Sequence, residues 1–171
     1  YRIHDNPDES KLNNFAQFIK KFGYKLNVSG GKQTASSLNA LLTNVKGKKE
    51  AQLFENLAVR AMAKAVYSTN NIGHFGLAFP HYTHFTSPIR RYPDMMVHRL
   101  LERYLANQSS APLDEFEENC RHSSSREQLA SNAERASIKY KQVEFMKEHI
   151  GEEFTGIISG ISERGFFVEL N

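Results

Sequence analysis

Leu12, Phe15, Ile19 and Phe22 are separated by polar residues at helical spacing, so the first periodic stretch of the chain predicts a helix packed by one face. Asn6-Pro7-Asp8-Glu9 supplies a start signal, with Asn6 as the cap, Pro7 at the first helical position and Glu9 three residues after the cap. Gly23 ends it. Residues 1–4 read as the end of a strand. Beyond the loop Val28-Ser29-Gly30-Gly31-Lys32, a short helix is expected over 36–44 with Leu38, Leu41 and Leu42 buried. A further helix is expected over 50–67, with Leu53, Leu57, Ala58, Ala61, Ala65 and Val66 on one face.

From His74 the period changes. Phe75, Leu77 and Phe79 alternate with Gly76, Ala78 and Pro80, which predicts a strand with one buried face and small residues on the other. Helical spacing returns over 93–106, where Val97, Leu100, Leu101, Tyr104 and Leu105 form the apolar side. A polar linker follows, then a shorter helical piece over 113–120 with Phe116 and Cys120 turned inward. Ser124-Ser125-Arg126-Glu127 has the form of a capping box for a long helix to Ile150, striped by Leu129, Ala133, Ala136, Tyr140, Val143 and Ile150. Glu134 and Arg135 lie beside that stripe and by default are surface ion-pair positions. Gly151 marks a boundary. The β-rich runs 154–161 and Gly165–Leu170 flank a short turn and predict a hairpin. The fold class is α+β: a mostly helical body with a short strand region over 1–150, then the opening hairpin of a second module over 151–171.

At 171 residues the chain has room for one domain and part of another. The net charge of +3 fits a nucleic-acid partner without demanding one. A single cysteine, Cys120, excludes an internal disulfide and fits a reducing cytoplasm. There is no run of about 18 apolar residues, so no membrane span is expected. No signal peptide is visible either. The chain opens on Tyr1 without an initiator methionine and stops inside an apparent strand, so it reads as part of a longer protein.

The stretch of the chain that carries most chemistry is His81-Tyr82-Thr83-His84-Phe85-Thr86-Ser87-Pro88-Ile89-Arg90-Arg91-Tyr92-Pro93-Asp94. Pro88 fixes its own backbone angle and biases Ser87 toward an extended conformation. Pro93 suits the first position of a helix and Asp94 its positive first turn. The two arginines therefore sit on a stiff connection, where guanidinium forks suit bidentate phosphate contacts. The same geometry also suits a helix-entry turn whose arginines pair with carboxylates elsewhere. Lys46-Gly47-Lys48-Lys49 is likewise open to two readings, a nucleic-acid contact or a solvated loop. Gly30-Gly31-Lys32 lacks the spacing of a phosphate loop. His74, His81, His84, His98 and Cys120-Arg121-His122 lack the spacing of a structural zinc site. No Gly-x-Ser-x-Gly elbow is present for a serine hydrolase.

The order Tyr82-Thr83-His84-Phe85-Thr86-Ser87-Pro88-Ile89-Arg90-Arg91-Tyr92-Pro93-Asp94, with His98-Arg99 one turn later, resembles the signature of the RNase II/RNase R exoribonucleases. Its His-Phe-Thr and Arg-Arg-Tyr-Pro-Asp wording is closer to RNase R. The Gly-Phe-Phe-Val-Glu-Leu run at 165–170 resembles the first hairpin of a ribosomal protein S-one type OB-fold, a module that binds single-stranded RNA. The resemblance implies that residues 1–150 are the C-terminal part of an RNB catalytic domain and that 151–171 begin an OB-fold. It implies a cytoplasmic, monomeric parent enzyme that processively degrades single-stranded RNA with a free 3′ end, in the 3′→5′ direction, to mononucleotides with magnesium.

The family's catalytic arginine falls on Arg90, where a cation would offset charge developing on the attacked phosphate. Arg91, Ser87, His84 and Tyr92 become candidates for phosphate or base contacts. The glutamate of the family's Ala-Glu-Arg motif matches Glu134, which implies a contact near the RNA 3′ end and replaces the surface default. Phe167 matches the base-stacking aromatic of the OB-fold. One departure stands out: the family holds its metals on clustered aspartates, and this chain offers only Asp5-x-x-Asp8, read here as a helix start. The Mg2+ ligands are therefore expected outside these residues, with no metal ligand among them, and this stretch alone is expected to be inactive. The rival expectation is a non-catalytic RNA-binding protein on a degenerate RNB fold.

Overall fold

The computed structural model describes residues 1–162 and 165–170, and the side chains of these apart from Lys32, Ile161 and Ser162. The hairpin turn expected around 163–164 and the lysine side chain of Gly30-Gly31-Lys32 thus lie outside the described residues. The chain divides into two compact units, 1–127 and 128–171.

In the first unit, α1 (Glu9–Lys20) buries Leu12, Phe15 and Ile19, while Phe22, the fourth residue of the expected stripe, lies past the helix end and is exposed. Its cap is Asp8 instead of Asn6. The Asp8 carboxylate accepts the Ser10 and Lys11 amides at 2.9 and 3.2 Å, so the short aspartate satisfies two N–H groups that the first turn leaves open. α2 (Gly31–Val45) is longer than the expected 36–44. Gly30, at φ +88, makes the turn into it, and the Thr34 hydroxyl reaches back to the Gly30 amide at 3.0 Å. Leu38 and Leu41 are buried and Leu42 only partly so.

α3 (Ala51–Ala61) stops six residues short of the expected end. Its inward residues are Phe54, Ala58 and Ala61, while Leu53 and Leu57 are half-buried. Phe54 is the hub of the core between α1, α2 and α3, meeting Phe15, Phe18, Phe22 and Tyr24 edge-on with centroids 5.4–6.4 Å apart, the separation range favoured by aromatic quadrupoles. The helix ends because Val66, expected on its apolar face, instead pairs with Ile3. β1 (Arg2–Ile3) and β2 (Val66–Tyr67) form an antiparallel pair, as the opening residues predict for β1.

The strand expected over residues 75–79 is absent. Phe75–Leu77 form a 3-10 turn, closed by a bridge between His74 and Phe79 and entered through the His74 Nδ1, which accepts the Leu77 amide at 3.2 Å. None of its residues is buried. Alternation needs a continuous ladder to become a sheet; here the segment turns back on His74, its Phe75 and Gly76 amides donate to the His4 carbonyl and Nδ1, and Ala78 is left-handed at φ +56.

α4 (Tyr92–Leu105) turns Pro93, Asp94 and Met96 inward, whereas Leu101, Tyr104 and Leu105 of its expected apolar side are exposed. Beyond it, the two helices expected at 113–120 and 124–150 are one, α5 (Leu113–Glu148). Ser124 does not cap a helix. Its hydroxyl donates to the Cys120 carbonyl at 2.9 Å, a bond to the preceding turn, and accepts the Tyr67 amide at 2.9 Å. Phe116 and Cys120 do face inward, beside Tyr67 and Met96.

The second unit contains the rest of α5, where Leu129, Tyr140, Val143 and Ile150 of the expected stripe are exposed, and a hairpin. β3 (Gly156–Ser162) pairs antiparallel with β4 (Gly165–Leu170), with a bulge between Ile158 and Gly160. A β-carbon on Gly156 would lie 2.5 Å from a Val168 methyl, so the register of the hairpin depends on glycine there.

Candidate functional site

Ser87, Pro88, Ile89 and Arg90 make a tight turn immediately before α4. The Arg90 and Arg91 amides both donate to the Ser87 carbonyl, at 3.3 and 3.0 Å. The Ser87 amide donates to Asp94 Oδ2 at 2.7 Å. Arg91 donates to the same oxygen at 2.8 Å. Asp94 is 0% exposed and the Arg91 side chain 21%, so this ion pair lies under the turn. Burial works against ionisation of Asp94, but the Ser87 amide and the Arg91 guanidinium outweigh it and hold the carboxyl below the usual carboxylate range.

The neighbouring arginine has the opposite environment. Arg90 is exposed at the tip of the turn, and its side chain makes no hydrogen bond or ion pair among the described residues. Ile89 beside it is 102% exposed and Tyr92 is 47% exposed. Phe85 stacks on His98 with ring centroids 4.2 Å apart, and the His98 Nε2 bonds the Phe85 carbonyl at 2.7 Å. A free guanidinium, exposed aromatic faces and a backbone tied from beneath form a surface suited to a phosphate with its base.

Behind the turn, Tyr67 and His84 meet at 2.8 Å through the phenol oxygen and Nδ1. Burial pushes the Tyr67 phenol up. Burial first, then the Arg91 and Arg2 charges, push the His84 imidazole down. Both directions favour a protonated phenol beside a neutral imidazole, and the two share one hydrogen bond. Arg2 lies over the Tyr67 ring, 4.6 Å from its centroid, and forms a two-pronged pair with Glu127 at 2.6 and 3.2 Å. Glu117 of α5 accepts the Thr69 amide at 2.8 Å and the Thr69 hydroxyl at 2.6 Å.

Of the residues singled out from sequence, Ser87, Arg90, Arg91 and Tyr92 share this one turn and helix start, and His84 flanks it. Glu134 is exposed on α5, and Phe167 is 64% exposed on β4. Both belong to the second unit. Sequence reading gave Asp94 only a helix-entry role and overlooked Arg2, Tyr67, Glu117 and Glu127. The Pro93-Asp94 pair could have flagged the first of these; the others are joined to the site across the fold and leave no local signal. His4 and His81 have structural partners: the His4 Nδ1 accepts the Gly76 amide at 3.0 Å while its Nε2 donates to the Ala63 carbonyl at 2.8 Å, and His81 bonds Asn71 at 2.7 Å. Among the described residues no three His, Cys, Asp or Glu side chains come together as a metal site. Lys48 packs on Tyr24 and donates to its hydroxyl at 2.8 Å, which gives the basic 46–49 turn a structural partner. Among the described residues no helix is long and apolar enough to cross a membrane.

Comparison with known proteins places this geometry. The RNB domain matches residues 1–107. Ribonuclease R of Aquifex aeolicus is 44% identical over 99% of this chain, which spans 24% of that protein. The structure of Mycoplasma genitalium RNase R in complex with ribose-methylated single-stranded RNA matches all of the chain with a TM-score of 0.88 at 30% identity, over 28% of its own length. Yeast Ssd1, described as a pseudonuclease, matches 71% of the chain with a TM-score of 0.61 at 26% identity, over 15% of its length. The chain thus spans about a quarter of the length of the curated relatives it matches.

Proposed function

Since this chain belongs to the RNB-domain family, alongside the ribonucleases R, we propose that it is the arginine-bearing part of a processive 3′→5′ exoribonuclease that hydrolyses single-stranded RNA to mononucleotides. In this reading residues 1–150 end the catalytic domain, 151–171 begin an OB-fold, and the whole acts as a cytoplasmic monomer. The observation that carries the proposal is the contrast between Arg90, exposed and unpaired among the described residues, and Arg91, held by Asp94. A guanidinium presented on a fixed backbone can meet charge as it builds on the attacked phosphate without first reorganising. An interaction that strengthens in the transition state accelerates hydrolysis, while uniform binding does not.

The neighbouring groups take roles that their chemistry allows. Tyr92 and Phe85 offer faces for bases, Ser87 and the neutral His84 offer hydrogen bonds, and Arg91 secures the turn. Glu134, an acceptor only, suits ribose hydroxyls or base amines near the RNA 3′ end. Phe167, exposed on β4, suits stacking on a base. The family implies Mg2+, but the described residues provide no cluster to hold it. We assign its ligands to residues outside this chain, which would leave these 171 residues inactive alone.

The likeness to Ssd1, itself called a pseudonuclease, favours one alternative, an RNA-binding protein without turnover. The test uses the full-length protein and 5′-labelled single-stranded RNA, with magnesium and with a chelator. Passage of the 5′ label from full length to a short end product without accumulating intermediates, release of mononucleotides and loss of both on chelation are expected. Tight binding without cleavage would establish the alternative.

A further inference from the structure

We propose that Asp94 is the positioning residue for Arg90, and that Arg91 serves the same device and not the RNA directly. The inference rests on the catalytic reading of Arg90 and extends it to the groups that aim it. Ile89 is wholly exposed and Arg90 is exposed, so the tip of the turn has little packing of its own to fix its direction. What fixes it lies beneath. The Ser87 carbonyl accepts two amides, from Arg90 and Arg91. The Ser87 amide is itself gripped by Asp94 Oδ2, the oxygen that also binds Arg91. Asp94, Ser87 and Arg91 therefore close a ring at the root of the turn, with Arg90 projecting from it. The buried carboxylate is anchored in the first turn of α4, where the helix dipole favours a negative charge.

The ring has a consequence for catalysis as distinct from folding. A buried carboxylate that bonds a loop amide holds the loop in one arrangement, and a misplacement of about 1 Å at a reacting group can lower a rate about 100-fold. Among the described residues Asp94 makes no hydrogen bond or ion pair with Arg90, so its effect on hydrolysis would run through where Arg90 points. That distinguishes it from a residue that merely supports the fold, whose loss would reduce activity whether or not Arg90 were present.

The test is a cycle in the full-length protein, measuring single-turnover hydrolysis at saturating enzyme together with RNA affinity. Asp94→Asn keeps the side-chain volume and one acceptor but removes the charge. Asp94→Asn combined with Arg91→Met removes both buried charges, so that no lone charge is left beneath the turn to prevent folding. Each is expected to lower the hydrolysis rate roughly 10- to 100-fold, with RNA affinity within about twofold of wild type. In an Arg90→Ala background, Asp94→Asn is expected to change the rate by less than about twofold. Equal fold-losses in both backgrounds, or a folded Asp94 variant with wild-type rate, would overturn the positioning role and leave the catalytic reading standing. A wild-type rate for Arg90→Ala alone would instead overturn the catalytic reading, and the positioning role with it.

Discussion

Arg90 and Arg91 share a side chain and a neighbourhood, yet one faces solvent and the other a carboxylate that is fully buried. The difference lies in Pro88 and Asp94, which bend the backbone so that successive residues point to opposite sides of the turn. The paired arginines and the prolines were legible in sequence as a stiff presentation of cations. Which arginine is free was not, because burial of Asp94 depends on packing that no local pattern encodes. The same holds for His84, whose state is set by burial and by the charges of Arg91 and Arg2, groups that only the fold brings beside it. Because the folded His84 binds a proton less readily than an ordinary imidazole, the unfolded chain takes up more protons below about pH 6.5. Its contribution to stability is complete above that value and is lost as pH falls through the depressed folded value. His74, shifted down chiefly by burial and then by His4, adds in the same direction. Urea unfolding of this chain between about pH 7 and pH 5 should therefore show falling stability, and His84→Gln should flatten part of that fall. An unchanged slope would show that His84 is not held neutral by the fold.

At the scale of elements, the sequence was most informative where one face alone decides the structure. α1 follows its apolar spacing through Leu12, Phe15 and Ile19, as do the inward residues Leu38, Leu41, Phe116 and Cys120. The two strands of the hairpin, by contrast, pair as expected with no described side chain buried. The errors fall where a tertiary partner overrides a local signal. Val66 leaves the helical pattern to pair with Ile3, and 75–79 turns back on His74 while His4 takes up the Phe75 and Gly76 amides, so no strand forms there. Ser124-x-x-Glu127 has the letters of a capping box, but its serine is spent on Cys120 and Tyr67 while its glutamate holds Arg2. This gives Ser124→Ala a particular expected outcome. Loss of a true cap would shorten a helix. Here far-ultraviolet circular dichroism should be unchanged, while stability falls by about 1–3 kcal/mol because the Tyr67 amide loses its acceptor. A loss of helical signal would mean that α5 is two helices joined at Ser124.

For the molecule as a whole, family membership and a presented guanidinium are what support the proposed RNA hydrolysis, and the chain corresponds to about a quarter of its relatives. The 81–94 motif was readable as a site because its chemistry is contiguous. Its supports, Arg2, Tyr67, Glu117 and Glu127, come from the start, middle and end of the first unit and emerge only on folding. The central claim is that Arg90 acts on the transition state and not merely as a phosphate anchor. The measurement that addresses it most directly compares full-length wild type with Arg90→Ala, reading single-turnover cleavage at saturating enzyme beside RNA affinity. The account predicts a cleavage rate reduced roughly 100- to 1,000-fold, equivalent to about 3–4 kcal/mol, with affinity changed far less. Weakened affinity with an undiminished rate at saturation would contradict it, and would reduce Arg90 to a binding contact.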